Sequence, residues 1–185
     1  MKRLHWCRAM AKKKPRYDLP NAAPEPLRLV QRFVNTIDLS HDNEWLTAFF
    51  ADEGLLAADD DELHRARVLR ESIRELLYEN NGQGRPRERW SALNAAAARA
   101  GLTVDFETRA LAPTATGLDG LLGRIAVACL TAIGDGSWPR LKCCRNVACR
   151  WSFYDYSRNR SGSWCSMQIC GNRTKTRAYR RRVRR

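Results

Sequence analysis

Apolar residues early in the chain recur every three or four positions, the period of amphipathic helices. A first helix is predicted to begin at Leu27. A second, short helix covers Trp45–Phe50 and stops near Gly54. A third, longer helix carries its apolar face from Leu63 to Leu76 and breaks at Asn81-Gly82, because glycine after a polar residue commonly ends a helix.

Two polar groups next to these helices each allow two interpretations. Asp59 with Glu62 resembles a capping pair, so we interpret the acidic run Asp59–Asp61 as a helix start rather than a metal site. Asn35-Thr36 follows the first helix, and there we favour a C-terminal cap and turn over a ligand contact.

The region up to residue 139 is predicted to continue mainly as helices. Pro86 suits the first position of an alanine-rich helix that ends at Gly101. Apolar and polar residues alternate over 102–106, which predicts a short strand with a hairpin partner around Leu111–Ala115. A further helix spans Leu118 to Ile133.

Composition narrows the class of protein. Apolar residues make up 44% of the chain, enough for a sizeable core. No run of 18 apolar residues occurs, and the basic N-terminus lacks the apolar segment of a secretory signal, so we expect a cytoplasmic protein without a membrane span. His5, His41 and His64 are far apart and form no catalytic motif, so we expect no enzymatic activity.

Charge divides the chain into three blocks. Residues 1–17 carry +7, residues 18–139 carry −7, and residues 140–185 carry +13, with fourteen basic residues and one acid. Such blocks concentrate positive potential where polyanions can meet it, although a solubility tail has the same composition. The 27 Arg against 6 Lys, with many alanines, hint at a GC-rich bacterial genome.

Four of the seven cysteines form two matched pairs. Four residues separate Cys144 from Cys149 and Cys165 from Cys170, and fifteen lie between the pairs. Two short loops brought together by a hairpin supply the tetrahedral thiolate ligands that zinc prefers, so we predict a structural zinc site without an open position for substrate. Cys143 is an alternative to Cys144, and four unpaired core cysteines are the alternative to a metal.

The residues around these cysteines predict a small treble-clef-like module. Trp151, Phe153 and Tyr154 suit a strand, the polar segment 157–163 suits a turn, and Thr174–Arg185 suits a helix. The predicted fold is therefore mainly α. A flexible basic arm (1–26) precedes a helical domain with a small β-hairpin (27–139), which is followed by a four-cysteine zinc finger with a basic C-terminal helix (140–185).

Four runs in the last segment match a known pattern: Cys144-Arg-Asn-Val-Ala-Cys149-Arg-Trp-Ser-Phe-Tyr-Asp155, Ser157-Arg-Asn-Arg-Ser161, Trp164-Cys165-Ser-Met and Cys170-Gly-Asn-Arg173-Thr-Lys175. Over about forty residues they resemble the CGNR zinc-finger family. The upstream part, with Phe33-Val-Asn35-Thr36, is similar to the ABATE domain that usually precedes such fingers. The family is regarded as stress-induced transcriptional regulators.

The resemblance places the zinc ligands on Cys144, Cys149, Cys165 and Cys170. The tetrad that names the family falls on residues 170–173. The sequence departs from the usual pattern at Cys143, an extra thiol, and at Ser161-Gly-Ser163, where basic residues are common.

The leading functional hypothesis is a transcriptional regulator that binds double-stranded DNA, with the helical domain sensing a signal or forming a homodimer. Arginine can bridge phosphates or read guanine edges. The predicted contacts are Arg158, Arg160, Arg173, Lys175, Arg177, Arg180, Arg181 and Arg182. The alternative is an RNA-binding or ribosome-associated zinc protein, in which Tyr156 or Tyr179 stacks on unpaired bases.

Overall fold

The fold is mainly α, as the sequence predicts. The computed structural model describes residues 17–39, 41–55, 58–83 and 90–183. Within these ranges the helices are α1 Leu27–Val34, α2 Leu46–Asp52, α3 Asp60–Glu79, α4 Trp90–Ala100, α5 Gly117–Gly134 and α6 Asn172–Val183. A 3₁₀ turn, Trp138–Arg140, and a π-helical turn, Met167–Gly171, complete the helical elements of this part of the chain.

The strands of the described residues form antiparallel hairpins of two strands each. They are β1 Ile37–Asp38 with β2 Asn43–Glu44, β3 Leu102–Asp105 with β4 Ala110–Pro113, and β5 Leu141–Cys143 with β6 Ser152–Tyr154. The second pair confirms the predicted hairpin. The third pair places the predicted strand of the cysteine module opposite residues just before the first cysteine loop.

The start of α3 confirms the capping interpretation. The Asp59 carboxylate accepts a hydrogen bond from the Glu62 N–H at 2.8 Å, and the Glu62 carboxylate accepts one from the Asp59 N–H at 3.0 Å. Both bonds satisfy amide groups that have no partner within the helix. The acidic run Asp59–Asp61 is therefore a helix start. The helix ends as predicted, with Gly82 in the left-handed region (φ 70°) that favours glycine.

Helix α5 lies at the centre of the apolar core. By length and composition alone it could cross a membrane, but core helices of soluble proteins pass the same test. Its buried residues include Leu121, Ile125, Cys129 and Ala132, and it packs against α1 and α4. These contacts identify α5 as a core helix.

The β3–β4 hairpin extends away from this core. Val104 is 56% exposed and Phe106, in the turn, is 86% exposed, although both belong to the alternating apolar set that predicts the strand. Close packing of the pair against α5 occurs near Leu102, where the α carbon of Gly123 leaves no room for a side chain beside Ala100. Alternation therefore predicts the strand correctly, but it does not show which part of the hairpin is buried.

The segment immediately before α1, residues 17–26, packs against the body of the protein. Tyr17 and Ala23 lie in the apolar core. The buried Gln31 side chain accepts a hydrogen bond from the Ala23 N–H at 2.7 Å and donates one to the Asp18 carbonyl at 3.2 Å. The predicted flexible arm is therefore wrong from residue 17 onwards, because a helix side chain satisfies its backbone. The remainder of the predicted arm lies outside the described residues, as does Pro86.

The apolar core continues from the helical region into the cysteine segment. Leu141, Cys143 and Tyr154 of the β5–β6 hairpin belong to the same buried cluster as the helices, and β5 packs along α3. Asn80, at the end of α3, donates hydrogen bonds to the carbonyls of Trp138 at 2.8 Å and Leu141 at 2.9 Å. The helical region and the cysteine segment are thus joined through one core.

Asn35 joins three parts of the chain at the end of α1. Its side-chain N–H groups donate to the carbonyls of Tyr17 at 2.6 Å and Ser152 at 2.9 Å, and its side-chain oxygen accepts from the Ser152 N–H at 2.8 Å. The residue is fully buried and occupies the C-cap position of α1, as the cap interpretation requires. The sequence gives no sign of its partners, which lie far away in the chain.

We predict that Asn35→Ala lowers the free energy of unfolding by about 2–4 kcal/mol, because it leaves the Tyr17 carbonyl and the Ser152 N–H without the partner that Asn35 supplies. The measurement is chemical denaturation at fixed zinc concentration. Asn94→Ala, on the exposed face of α4, is the control and should change stability by less than about 0.5 kcal/mol. An equally small effect at Asn35 would contradict a clamping role.

Candidate metal centre and nucleic-acid interface

The first cysteine loop grows directly out of the β5–β6 hairpin. The Cys144 N–H donates to the Trp151 carbonyl at 3.0 Å, which continues the ladder one step beyond Cys143. The Asn146 carbonyl accepts from the Cys149 N–H at 2.8 Å and closes the loop. This turn brings the two cysteine side chains of the first pair to the same end of the hairpin.

The second cysteine loop is the π-helical turn before α6. The Ser166 hydroxyl accepts from the Ile169 N–H at 3.3 Å, and the Ser166 carbonyl accepts from the Cys170 N–H at 2.9 Å. Gly171 leaves room for a neighbouring side chain: a Cβ there would lie 2.7 Å from the Met167 sulfur, so a larger residue would displace the Met167 side chain. Cys170 is thereby held at the junction between the turn and α6.

The sulfur atoms of Cys144, Cys149, Cys165 and Cys170 all lie within 4.8 Å of one another. The Cys149–Cys165 and Cys165–Cys170 sulfur distances are 3.7 and 3.8 Å. A tetrahedral zinc site with Zn–S bonds of about 2.3 Å has sulfur–sulfur edges of about 3.8 Å. Disulfides, with S–S bonds of about 2.05 Å, do not fit these distances. The geometry of the donor set therefore fits one tetrahedral zinc ion.

The ionisation of the four thiols also calls for a cation. Hydrogen bonds from Cys149 and Cys165 lower the pKa of Cys144, and the same interactions raise the pKa of Cys149 and of Cys165. Hydrogen bonds among these three thiols favour one thiolate, at Cys144, whereas adjacent thiolates repel one another. A divalent ion removes this conflict and keeps the whole set deprotonated.

Cys143 lies outside the cluster despite being adjacent to Cys144. It is fully buried in the apolar core, and this burial raises the pKa of its thiol to about 12. Cys129 is likewise a buried thiol of α5, and burial raises its pKa. Of the two alternatives that the spacing left open, the structure brings Cys144 into the cluster.

Polar side chains of α3 and of the turn that follows it hold the cysteine hairpin in place. Asn81 donates to the carbonyls of Cys143 at 2.7 Å and Ser163 at 3.0 Å. The fully buried Arg74 donates to the carbonyl of Arg150 at 3.1 Å and also to that of Val34. These contacts were missed by the sequence analysis, because an arginine on a helix is usually solvent-exposed.

Asp155 is the acid of the basic segment, and it organises the loop that follows β6. Its carboxylate accepts from the Lys142 ammonium at 2.7 Å, the Ser157 N–H at 2.9 Å and the Gly162 N–H at 2.8 Å. Burial alone would raise the pKa of Asp155, but these three donors lower it to about 2. The loop bearing Arg158 is thereby tied to the hairpin.

The structure separates the basic residues of this segment into two groups. The first group stabilises the fold. Arg140 donates to carbonyls of the loop after β6, and Lys142 pairs with Asp155. Arg145 donates to the Asn81 carbonyl, and Arg150 pairs with Glu75. The second group is exposed and, among the described residues, forms no ion pair. Its members are Arg158, Arg160, Arg173, Lys175, Arg177, Arg180 and Arg182. All seven are among the predicted contact residues. The side chain of the eighth, Arg181, is not among those that the structure describes.

Helix α6 presents most of these free cations. It has extensive packing only with the π-helical turn that precedes it, among the elements described. The Thr174 hydroxyl donates to the Cys170 carbonyl at 3.0 Å and fixes its first turn to the cysteine cluster. The other described side chains of the helix are exposed, and most of them are polar or basic.

Comparison with known families agrees with the order of these two segments. The family model ABATE, described as "Putative stress-induced transcription regulator", matches residues 27–136. The CGNR zinc finger model matches residues 140–183. No curated protein matches the chain. Both resemblances noted in the sequence are confirmed, and the two descriptions name a regulator and a zinc finger rather than an enzyme.

We predict that the purified protein contains about one zinc per chain and that Cys165→Ser removes it, because three remaining thiolates bind zinc less well and leave an open position. Elemental analysis measures both. Cys143→Ala is the matched control: it removes the neighbouring thiol outside the cluster and should retain the metal. Zinc loss from the control with retention in Cys165→Ser would refute the ligand set.

We predict that Asp155→Asn lowers the free energy of unfolding by about 3 kcal/mol, because it leaves the buried Lys142 ammonium without a counter-charge. The exposed Glu107→Gln, in the β3–β4 turn, is the control for loss of one negative charge. Denaturation of both variants at saturating zinc separates the ion pair from the metal. Equal stabilities would show that the carbonyls of Arg160 and Gly162, which also accept hydrogen bonds from the Lys142 ammonium, are sufficient to stabilise its charge.

Proposed function

We propose that this chain, which belongs to the ABATE family, described as "Putative stress-induced transcription regulator", and carries a CGNR zinc finger, regulates transcription by binding double-stranded DNA. The observation that carries the proposal is the set of exposed cations without ion pairs on α6 and on the loop after β6. Cations that serve the fold are excluded from this set. Those that remain are free to neutralise phosphates, which supply most of the affinity of such complexes.

In this proposal Cys144, Cys149, Cys165 and Cys170 bind one zinc ion with a structural role. The site is closed by four protein ligands, so it offers no position for substrate. Four thiolates and one zinc carry about −2, which leaves the surrounding basic residues dominant. Zinc fixes both cysteine loops, and α6 starts two residues after Cys170, at Asn172, so the metal determines the direction of the basic helix.

The helical body has a separate role in the proposal. Residues 18–139 carry −7, so phosphates repel this surface and nucleic acid approaches from the cysteine segment. The body would then sense a signal or form a homodimer, in a cytoplasmic protein. The shared core, with Asn35 and Asn81 bonded to the hairpin, gives a direct physical connection between the two regions.

One observation favours an RNA-binding protein as the second candidate. Tyr179 on α6 is 68% exposed beside basic residues, and an exposed ring can stack on an unpaired base. Tyr156 is less suited to this role, because its hydroxyl donates to the Ala22 carbonyl at 2.7 Å and its ring packs on Tyr154. Competition between duplex DNA and structured RNA separates the two candidates.

We predict that binding to duplex DNA weakens with salt at a slope of log K against log salt of about −4 to −5, as expected for four to six phosphate contacts. The triple variant Arg173→Ala, Arg177→Ala, Arg180→Ala should flatten the slope by about 3, because three contacts are lost. Fluorescence anisotropy across a salt series measures both.

Arg99→Ala, on the exposed face of α4, is the control for this prediction and should leave the slope unchanged. Zinc content is measured for every variant, so that loss of metal is not mistaken for loss of a contact. Undiminished affinity in the triple variant would refute the proposed surface.

A further inference from the structure

We propose that one face of α6, together with the π-helical turn before it, reads base edges in the major groove of DNA, with Gln168 of the turn and Asn172 of the helix recognising adenine beside the arginines that contact guanine or phosphate. This inference rests on the proposed function and specifies which nucleic acid it involves and which residues select the sequence. It adds Gln168 and Asn172, two uncharged residues that do not belong to the set of exposed cations.

The proposed face is an open groove of about 480 Å³ at the junction of the π-helical turn and α6. It is lined by Gln168, Ile169, Asn172, Arg173, Thr176, Arg177 and Arg180. Asn172 and Thr176 are four residues apart, as are Arg173 and Arg177, so each pair lies along the same side of the helix. A row of uncharged polar groups therefore runs beside a row of arginines.

The two carboxamides are available for recognition. Gln168 and Asn172 are exposed, and neither side chain forms a hydrogen bond with a described residue. By contrast, Gln31, Asn35 and Asn81 use their carboxamides to satisfy buried backbone groups. A carboxamide donates and accepts at once, which matches the N7 acceptor and N6 donor of adenine.

An apolar contact in the same groove points to the partner base. Ile169 is 53% exposed between the two carboxamides in sequence. Thymine presents a methyl group in the major groove, and apolar side chains recognise it there. Ile169 beside Asn172 therefore suits an A·T pair, with the amide on adenine and the apolar side chain on thymine.

The shape of α6 favours duplex DNA over duplex RNA. The helix has 12 residues, and so a length of about 18 Å, and most of its described side chains are exposed. The major groove of B-DNA is about 12 Å wide and admits an α-helix. The A-form major groove of RNA is deep and narrow, so side chains cannot read bases there.

The test uses the full zinc-loaded chain and starts from selection of binding sites out of a random duplex library. The selected duplex is then compared with one in which a single adenine is replaced by 7-deazaadenine, which lacks the N7 acceptor. We expect the wild type to lose about 10-fold in affinity at one or two adenines, the factor for a lost bidentate contact. Asn172→Ala or Gln168→Ala should lose a similar factor on normal DNA and become indifferent to that replacement.

Lys175→Ala is the matched control, since Lys175 lies on another side of α6 and outside the groove. It should weaken selected and random duplexes by the same factor and keep the base preference. Salt-sensitive binding without any sequence preference, or a preference unchanged in both carboxamide variants, overturns this inference and leaves the proposed function intact. Tighter binding of single-stranded RNA than of every duplex also overturns it, and absence of all nucleic-acid binding overturns both.

Discussion

Hydrogen bonds from buried side chains of the helical body to the backbone of the β5–β6 hairpin are the constraint on which the rest of the structure depends. Strands of three residues each form a ribbon that is only marginally stable alone. Asn35 satisfies both backbone groups of Ser152 on one strand, and Asn81 satisfies the carbonyl of Cys143 on the other. Because both strands of the hairpin are held by the helical body, the cysteine loops are held in defined positions. Their sulfur atoms can therefore converge without a large apolar core of their own.

The parts of the fold that local signals determine could be predicted from the sequence. The helical period located α1, α2 and α3, the Asp59 capping pair marked a boundary, and the matched cysteine spacing identified the cluster. These features depend on residues within a few positions of one another, so the sequence displays them directly.

Features that depend on distant partners could not be predicted in the same way. Asn35 bonds to Ser152, 117 positions away, and Arg74 bonds to Arg150, 76 positions away. Each looks like an ordinary surface residue until the fold brings its partner near. Burial of Tyr17 could not be predicted either, because the residues on both sides of it, Arg16 and Asp18, are charged. The two-residue strands around Ile37 are too short for alternation to be seen.

Net charge overstates the number of cations on the proposed binding surface, because it counts cations that stabilise the fold together with those that do not. Lys142 is nearly fully buried against Asp155, and Arg150 pairs with Glu75 and lies over the Tyr78 ring, 4.8 Å from its centroid. A long cationic side chain in a basic segment can therefore stabilise the fold through an ion pair inside the protein. The two kinds of cation can be distinguished only in the folded structure, since the sequence does not show whether an arginine is buried or exposed.

In the first turn of α6, the proposed function conflicts with the local stability of the helix. This turn carries Arg173 and Lys175 and no acid, although the positive end of the helix dipole favours acidic residues there. Repulsion between like charges along the helix adds to this cost. The cysteine turn and Thr174 stabilise the N-terminal end of the helix only. A bound polyanion would therefore stabilise the remainder of the helix most, because it would neutralise the basic side chains there. Since α6 takes little part in the core, its side chains can be optimised for a nucleic acid without destabilising the body of the protein.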